Sequence, residues 1–229
     1  MKLAIIGYGK MGKTIERLAS QYGFSVYVIM DNDEDISIKQ SDLMSCDVAI
    51  EFSTPQSVLS NLSKCFELQI PVVSGTTGWG DKRDAFIELW QNSSLSFIYG
   101  SNFSIGANIF FKLNEWLAQQ MKVQPQYAVS IDETHHIHKK DAPSGTALTI
   151  EQVILNQFDD RTPIPITSHR EGDVVGEHLV SYESVEDIIQ IKHNALSREA
   201  FAHGALKAAA WLCKNPAGVY DFAEIFGSV

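Results

Sequence analysis

"LAIIGYGKMGKTIERLA", residues 3–19, decides how this chain is read. A short apolar run ends at Gly7, and Gly9 and Gly12 complete a G-x-G-x-x-G spacing before an amphipathic segment begins. Strand, tight turn and helix give each glycine a task. Gly7 permits the turn, Gly9 lets a pyrophosphate approach the backbone, and Gly12 lets the helix lie close on the strand. The helix start adds unpaired N–H groups and a partial positive charge suited to phosphates. The loop residues Tyr8, Lys10 and Met11 are therefore candidate dinucleotide contacts beside the three glycines.

Asp31 closes the next apolar run, "SVYVIM" (25–30), where this fingerprint wants an acid for the adenosine ribose. A carboxylate there accepts from a free 2′-hydroxyl and repels a 2′-phosphate. Asn32, Asp33, Glu34 and Asp35 follow, and no basic residue appears before Lys39. The expected cofactor is NADH, with NADPH possible.

Working outward, short apolar runs alternate with amphipathic stretches: strands at 2–6, 25–30, 47–53, 71–75 and 95–100, helices at 11–22, 55–66 and 81–91. Pro55 suits a first helical position, where its missing N–H costs nothing. Strands this continuously apolar, alternating with helices, predict a doubly wound parallel sheet covered on both faces. Loops at the carboxyl ends of such strands face the ligand crevice. That singles out "EFSTP" (51–55) and "SGTTGW" (74–79), hence Phe52, Ser53, Thr54, Gly75, Thr76 and Thr77, for the ribose and nicotinamide side.

After Asn102 the rhythm changes. A helix at about 107–121 leads into a strand ending in "ETHH", a helix follows at 144–157, and strand-like runs occupy 164–170, 174–182 and 186–193. This predicts a second, α+β domain with an open mixed sheet over 104–198. An alanine-rich helix at 197–213 returns the chain to the first domain, which comprises 1–103 and 199–229.

Composition narrows the functions. The 229 residues carry a formal net charge of −10, against broad nucleic-acid binding. No apolar run reaches the roughly 18 residues of a membrane span, and the N-terminal run is too short for a signal peptide. Cys46, Cys65 and Cys213 are odd in number and widely spaced, as expected of reduced thiols in a cytoplasmic protein. In so acidic a chain, an anionic substrate needs a local positive site.

One stretch offers it: "ETHHIHKKDAPSGTA" (133–147), with three histidines and two lysines in six consecutive positions. A zinc set of His135, His138 and Asp141 matches no closed ligand spacing and there is no CxxC pair, so no metal is expected. Ser144, Gly145 and Thr146 begin a helix, where N–H groups and hydroxyls can hold a carboxylate. Lys139 adds a compact positive charge, His136 can donate to a second carboxylate, and histidine titrates near working pH. Arg198 either caps the last long helix or reaches the substrate. His169, His178, His193 and His203 read as structural.

The glycine loop, "GTTGW", "SNFSIGAN" (101–108), "ETHHIHKKDAPSGTA", "REGDVVGEH" (170–178) and "NALSREAFAHGALKAAAWL" (194–212) occur in this order over nearly the whole chain. Together they resemble the 4-hydroxy-tetrahydrodipicolinate reductase (dihydrodipicolinate reductase) family of lysine and diaminopimelate biosynthesis. The resemblance implies a Rossmann domain, a substrate-binding and oligomerisation domain, and a homotetramer assembled through sheets of the latter. It implies NAD(P)H-dependent reduction of a small cyclic dicarboxylate with loss of water. His135 and Lys139 would be the acid–base pair, and Ser101, Asn102 and Phe103 would approach the nicotinamide at a hinge between domains. The chain departs from the family pattern in a glycine loop one residue tighter and a short segment between Asp31 and the strand at 47–53. Two other readings compete: another two-domain amino-acid dehydrogenase, such as an aspartate dehydrogenase, and an NADH-sensing module without turnover.

Overall fold

The computed structural model describes residues 1–32, 39–79, 82–158 and 162–229. Asp33, Glu34 and Asp35, part of the argument for NADH, lie outside the described residues. Two compact units emerge, Met1–Ile105 with Glu199–Val229 and Gly106–Arg198.

The first unit is a six-stranded sheet of β1 (Lys2–Ile6), β2 (Ser25–Met30), β3 (Val48–Glu51), β4 (Val72–Ser74), β5 (Phe97–Tyr99) and, from the end of the chain, β10 (Val219–Asp221). The strands lie in the order β10-β5-β4-β3-β1-β2 and every pair is parallel. Strand order reverses between β1 and β3, which opens a crevice at their carboxyl ends. Side chains alternate across the sheet: Leu3 and Ile5 join one apolar layer, Ala4 and Ile6 the other. Burial on both faces is why these strands read as unbroken apolar runs.

Two helix boundaries differ most from those the sequence suggests. Helix Lys10–Leu18 gives way to a 3₁₀ turn at Ala19–Tyr22, because Gly23 adopts φ 77° and returns its N–H to Ala19 and Ser20 carbonyls. Pro55 lies in a turn rather than at the first helical position; the helix begins at Val58, after Ser57 N–H has closed onto the Thr54 carbonyl. Helix Glu199–Leu212 packs its small residues Ala202, Ala205 and Ala209 into the layer that holds Leu3 and Ile5. A Cβ on Gly204 would stand 1.8 Å from the Phe103 carbonyl oxygen, so only glycine allows this approach.

The second unit is a mixed sheet of β6 (Ala128–His135), β7 (Ile166–Arg170), β8 (Gly176–Glu183) and β9 (Ile188–Ala195) in the order β7-β6-β8-β9. β6 pairs with β7 in parallel and with β8 antiparallel, and β8 pairs with β9 antiparallel. Helices Ile105–Met121 and Gly145–Leu155 contribute Phe110, Leu117, Ile150 and Ile154 to a core with Ile131, Val180 and Tyr182. The register aligns Ser168, Glu133, His178 and His193 as one rung across the four strands.

Candidate active site

In the first unit the turn after β1 is drawn tight. Gly7 takes φ +89° with its N–H on the Met30 carbonyl, and a Cβ there would lie 2.2 Å from the Phe52 carbonyl oxygen. A Cβ on Gly12 would lie 2.2 Å from the Gly7 oxygen, whereas one on Gly9, the residue that opens the helix, would meet nothing within 4 Å. Open space is thus kept at Gly9 and closed at the other two glycines. Tyr8 N–H donates to Asp31 Oδ1 (2.8 Å), tying loop and acid together, and the Tyr8 hydroxyl meets Glu16. Lys10 is exposed, and Met11 packs against the core.

Glu51, at the end of β3, is fully buried. Its carboxylate accepts from Ser53 N–H (3.1 Å), the Ser53 hydroxyl, the Ser74 hydroxyl (2.6 Å) and the Thr76 hydroxyl (3.0 Å). One buried acid therefore holds the loops after β3 and β4. Thr54 instead exchanges hydrogen bonds with Ser57 in the following turn. Gly75 is required because the Phe52 ring occupies the place of its Cβ, and Phe52 in turn meets Phe103 edge-on at 5.8 Å. A cavity of about 370 Å³ opens beside these loops, lined by Thr76, Thr77, Trp79, Tyr99 and Ser101. Ser101 is exposed, Asn102 half-buried and Phe103 buried. The residues fit a dinucleotide: open space at Gly9, an acid after β2 and hydroxyls beyond β3 and β4.

In the second unit, β6 ends on the other cluster. Glu133 and His135 alternate along the strand, so both project to the helix-covered face with Ile131. Glu133 is 1% exposed, His178 3% and His135 7%. Ser144 N–H donates to both Glu133 oxygens (3.0 and 3.1 Å), the Ser168 hydroxyl to Oε1 (2.7 Å) and Arg170 Nη2 to Oε1 (3.3 Å). His135 Nδ1 lies 3.4 Å from Glu133 Oε2 and His178 Nε2 3.7 Å from the same oxygen, the two rings meeting edge-on at 5.1 Å. Burial raises the pKa of Glu133, but the bonds from Ser144 and Ser168 and the His135 charge outweigh it and hold the carboxyl below its ordinary value. Burial lowers His135, helped by Lys139 and Arg170 and opposed by Glu133, and pushes His178 down to about 4.

The loop beyond β6 carries the rest. Lys139 Nζ is gripped by both Asp141 oxygens (2.9 and 2.8 Å). His136 is half-buried with Nε2 3.4 Å from Arg198 Nη2. Ser144 caps helix Gly145–Leu155: its hydroxyl accepts from Ala147 N–H (3.2 Å) and meets His178 Nε2 (3.2 Å). With its own N–H on Glu133, Ser144 has little left for a ligand. Gly145 and Thr146 are the residues whose N–H groups the first turn leaves without intrahelical acceptors, and space around the Gly145 Cα is open.

Among the described residues, Glu133, His135 and His178 are the one trio whose ligand-type atoms lie within 4.8 Å of one another. This differs from the zinc set weighed from sequence, and its carboxylate already receives three protein donors. Glu133, Ser168, Arg170, His178 and Glu51 are the contributors that sequence reading passed over.

Two family models cover the chain: dihydrodipicolinate reductase, N-terminus, over residues 1–103, and dihydrodipicolinate reductase, C-terminus, over residues 106–226. A 4-hydroxy-tetrahydrodipicolinate reductase of Christiangramia forsetii is 42% identical over 241 residues, covering 100% of this chain and 99% of the relative. One of Thermosipho africanus is 34% identical, covering 98% and 97%. Among solved structures, a dipicolinate-bound dihydrodipicolinate reductase from Paenisporosarcina sp. TG-14 superposes with a TM-score of 0.81 at 21% identity, covering 98% of this chain and 99% of that one.

Proposed function

Because this chain belongs to the dihydrodipicolinate reductase family, we propose that it reduces 4-hydroxy-tetrahydrodipicolinate to tetrahydrodipicolinate in lysine and diaminopimelate biosynthesis. The overall change consumes a hydride and a proton and releases water. A bound dihydronicotinamide supplies the hydride. Gly7, Gly9 and Gly12 with Tyr8, Lys10 and Met11 hold the pyrophosphate side, Asp31 the adenosine ribose, and Phe52–Thr54, Gly75–Thr77 and Ser101–Phe103 the nicotinamide side.

The observation that carries the reading is the cluster at the end of β6, where a buried imidazole, a lysine and the start of a helix adjoin one another. Gly145 and Thr146 N–H groups, with the Ser144 cap behind them, receive one substrate carboxylate. His136 and Lys139 receive the other. His135, kept neutral by burial, gains affinity for a proton when a dianion arrives, since nearby negative charge favours its cation. His135 and Lys139 then supply the proton beside the reacting carbon.

Asp31 supports a preference for NADH, its carboxylate disfavouring a 2′-phosphate. A homotetramer built through the second unit's sheet, where β9 leaves Ile188 and Ile189 exposed, and a cytoplasmic setting belong to the same proposal. No described helix is long and apolar enough to cross a membrane.

The test is NADH consumption on substrate generated in place from pyruvate and aspartate semialdehyde, repeated with NADPH. Turnover with a higher kcat/KM for NADH is expected. Tight NADH binding without turnover would replace the reductase with a sensor, and an equal or higher kcat/KM for NADPH would remove the cofactor preference.

A further inference from the structure

We infer that Glu133 is a positioning residue that fixes the tautomer of His135 and, through Ser144, anchors the helix start that receives the substrate carboxylate. The inference rests on the reductase reading for its consequence, but its core is a statement about hydrogens that stands without turnover.

The geometry leaves little choice. His135 Nδ1 is shut off from solvent and makes no aligned hydrogen bond among the described residues. The carboxylate oxygen nearest to it is Glu133 Oε2 at 3.4 Å. If Nδ1 carries a lone pair, a buried lone pair faces a buried anion. If it carries hydrogen, a small shift of the ring completes a charge-assisted bond, and catalytic bonds are commonly long before substrate arrives. The Nδ1–H form is therefore favoured, and Nε2 becomes the nitrogen that gains and releases a proton. Nε2 runs along Gly176, where a Cβ would stand 3.1 Å away, so a side chain there would push the ring off the carboxylate.

Glu133 itself is held from three directions. Ser168 and Arg170 on β7 bind Oε1, leaving Oε2 toward the imidazoles, and Ser144 N–H spans both oxygens. Sheet register brings these groups together: Ser168 and His178 flank Glu133 on the neighbouring strands, and Arg170 flanks His135. A displacement of the carboxylate would thus disturb the imidazole and the helix start at once.

Histidine ¹⁵N NMR of the full-length protein tests this, with His135→Asn used to assign the His135 signals. The wild type is expected to show Nδ1 protonated and Nε2 pyridine-like at pH 7.5; an Nε2–H tautomer would overturn the inference whether or not the enzyme turns over. In Glu133→Gln the tautomer should shift toward Nε2–H. The value of kcat should fall by about ten-fold or more, part of what a positioned acid–base group contributes, with the NADH dissociation constant unchanged. Ser168→Ala, a milder change, should lower kcat less and leave the fold intact if Glu133→Gln does not. Unchanged tautomer and kcat in both variants, with an active wild type, would also overturn it. An inactive wild type with the Nδ1–H tautomer present would count against the reductase reading alone.

Discussion

Glu133 on β6 stands directly opposite His178 on β8, with His178 Nε2 3.7 Å from Glu133 Oε2 and the imidazole pKa pushed down to about 4, chiefly by burial. In the unfolded chain that imidazole titrates near 6.5. Between these values the unfolded state binds a proton that the folded state refuses, so stability falls as pH falls through the window. The loss approaches roughly 3 kcal/mol at its acid end. His135 and His193, also lowered by burial, act in the same direction. Urea unfolding at pH 7.5 and pH 4.5 should show a marked decline in wild type and a smaller one in His178→Asn. Equal declines would remove His178 from this account.

Gly9 and Gly12 separate cofactor binding from folding. A methyl on Gly9 meets no protein atom within 4 Å, whereas one on Gly12 collides with the Gly7 carbonyl at 2.2 Å. Gly9→Ala should keep its melting temperature within a degree or two while NADH affinity drops at least several-fold, because the methyl takes the phosphate's approach. Gly12→Ala should lose stability by about 1–3 kcal/mol, the usual range for overpacking, as well as affinity. Thermal melts and NADH fluorescence titrations on both variants check the contrast, and unimpaired NADH binding by Gly9→Ala would move the pyrophosphate elsewhere.

Lys139 belongs to the unit Gly106–Arg198 and the glycine loop to the other. Replacing the lysine by alanine should therefore lower kcat by about 100-fold or more, within the range of lost proton transfer, while the NADH dissociation constant stays as it is. Asp141, which grips the Lys139 ammonium, has its own carboxyl held below its ordinary value, first by that hydrogen bond. Full activity in Lys139→Ala would remove this lysine from the chemistry.

The parallel sheet was legible because strands buried on both faces are nearly unbroken apolar runs, and Gly7, Gly9 and Gly12 mark the turn that follows the first. The stretch 133–147 stood out for the same kind of reason: its polar residues are adjacent in the chain. β10 was not legible, since three residues after a turn carry no periodicity. Nor were the partners of Glu133, which come from 11, 35 and 37 residues further along and meet only when β7 and β6 pair in register. His178 looked structural for that reason; its neighbour in space is 45 residues away in sequence. Glu51 was hidden differently, by an acid's ordinary association with surface.

Glu51 supplies the last prediction. Its buried carboxylate accepts from four donors, and one of them, Ser53 N–H, is fixed by the backbone and cannot rotate away. Glu51→Gln keeps the size but turns one acceptor into a donor that faces hydroxyls. The serine and threonine hydroxyls can turn to accommodate it, so the loss should be that of one or two buried bonds, about 1–3 kcal/mol. The same exchange loosens the loops bearing Ser53 and Thr76 on the proposed nicotinamide side. The KM for NADH should therefore rise several-fold in Glu51→Gln, whereas a conservative change in the same apolar layer as Ala49, Leu62→Met, should cost comparable or less stability and leave KM alone. Denaturation and steady-state kinetics on the two variants distinguish a carboxylate that organises the cofactor loops from one that only fills the core. A KM for NADH unchanged in both would leave Glu51 with the second role.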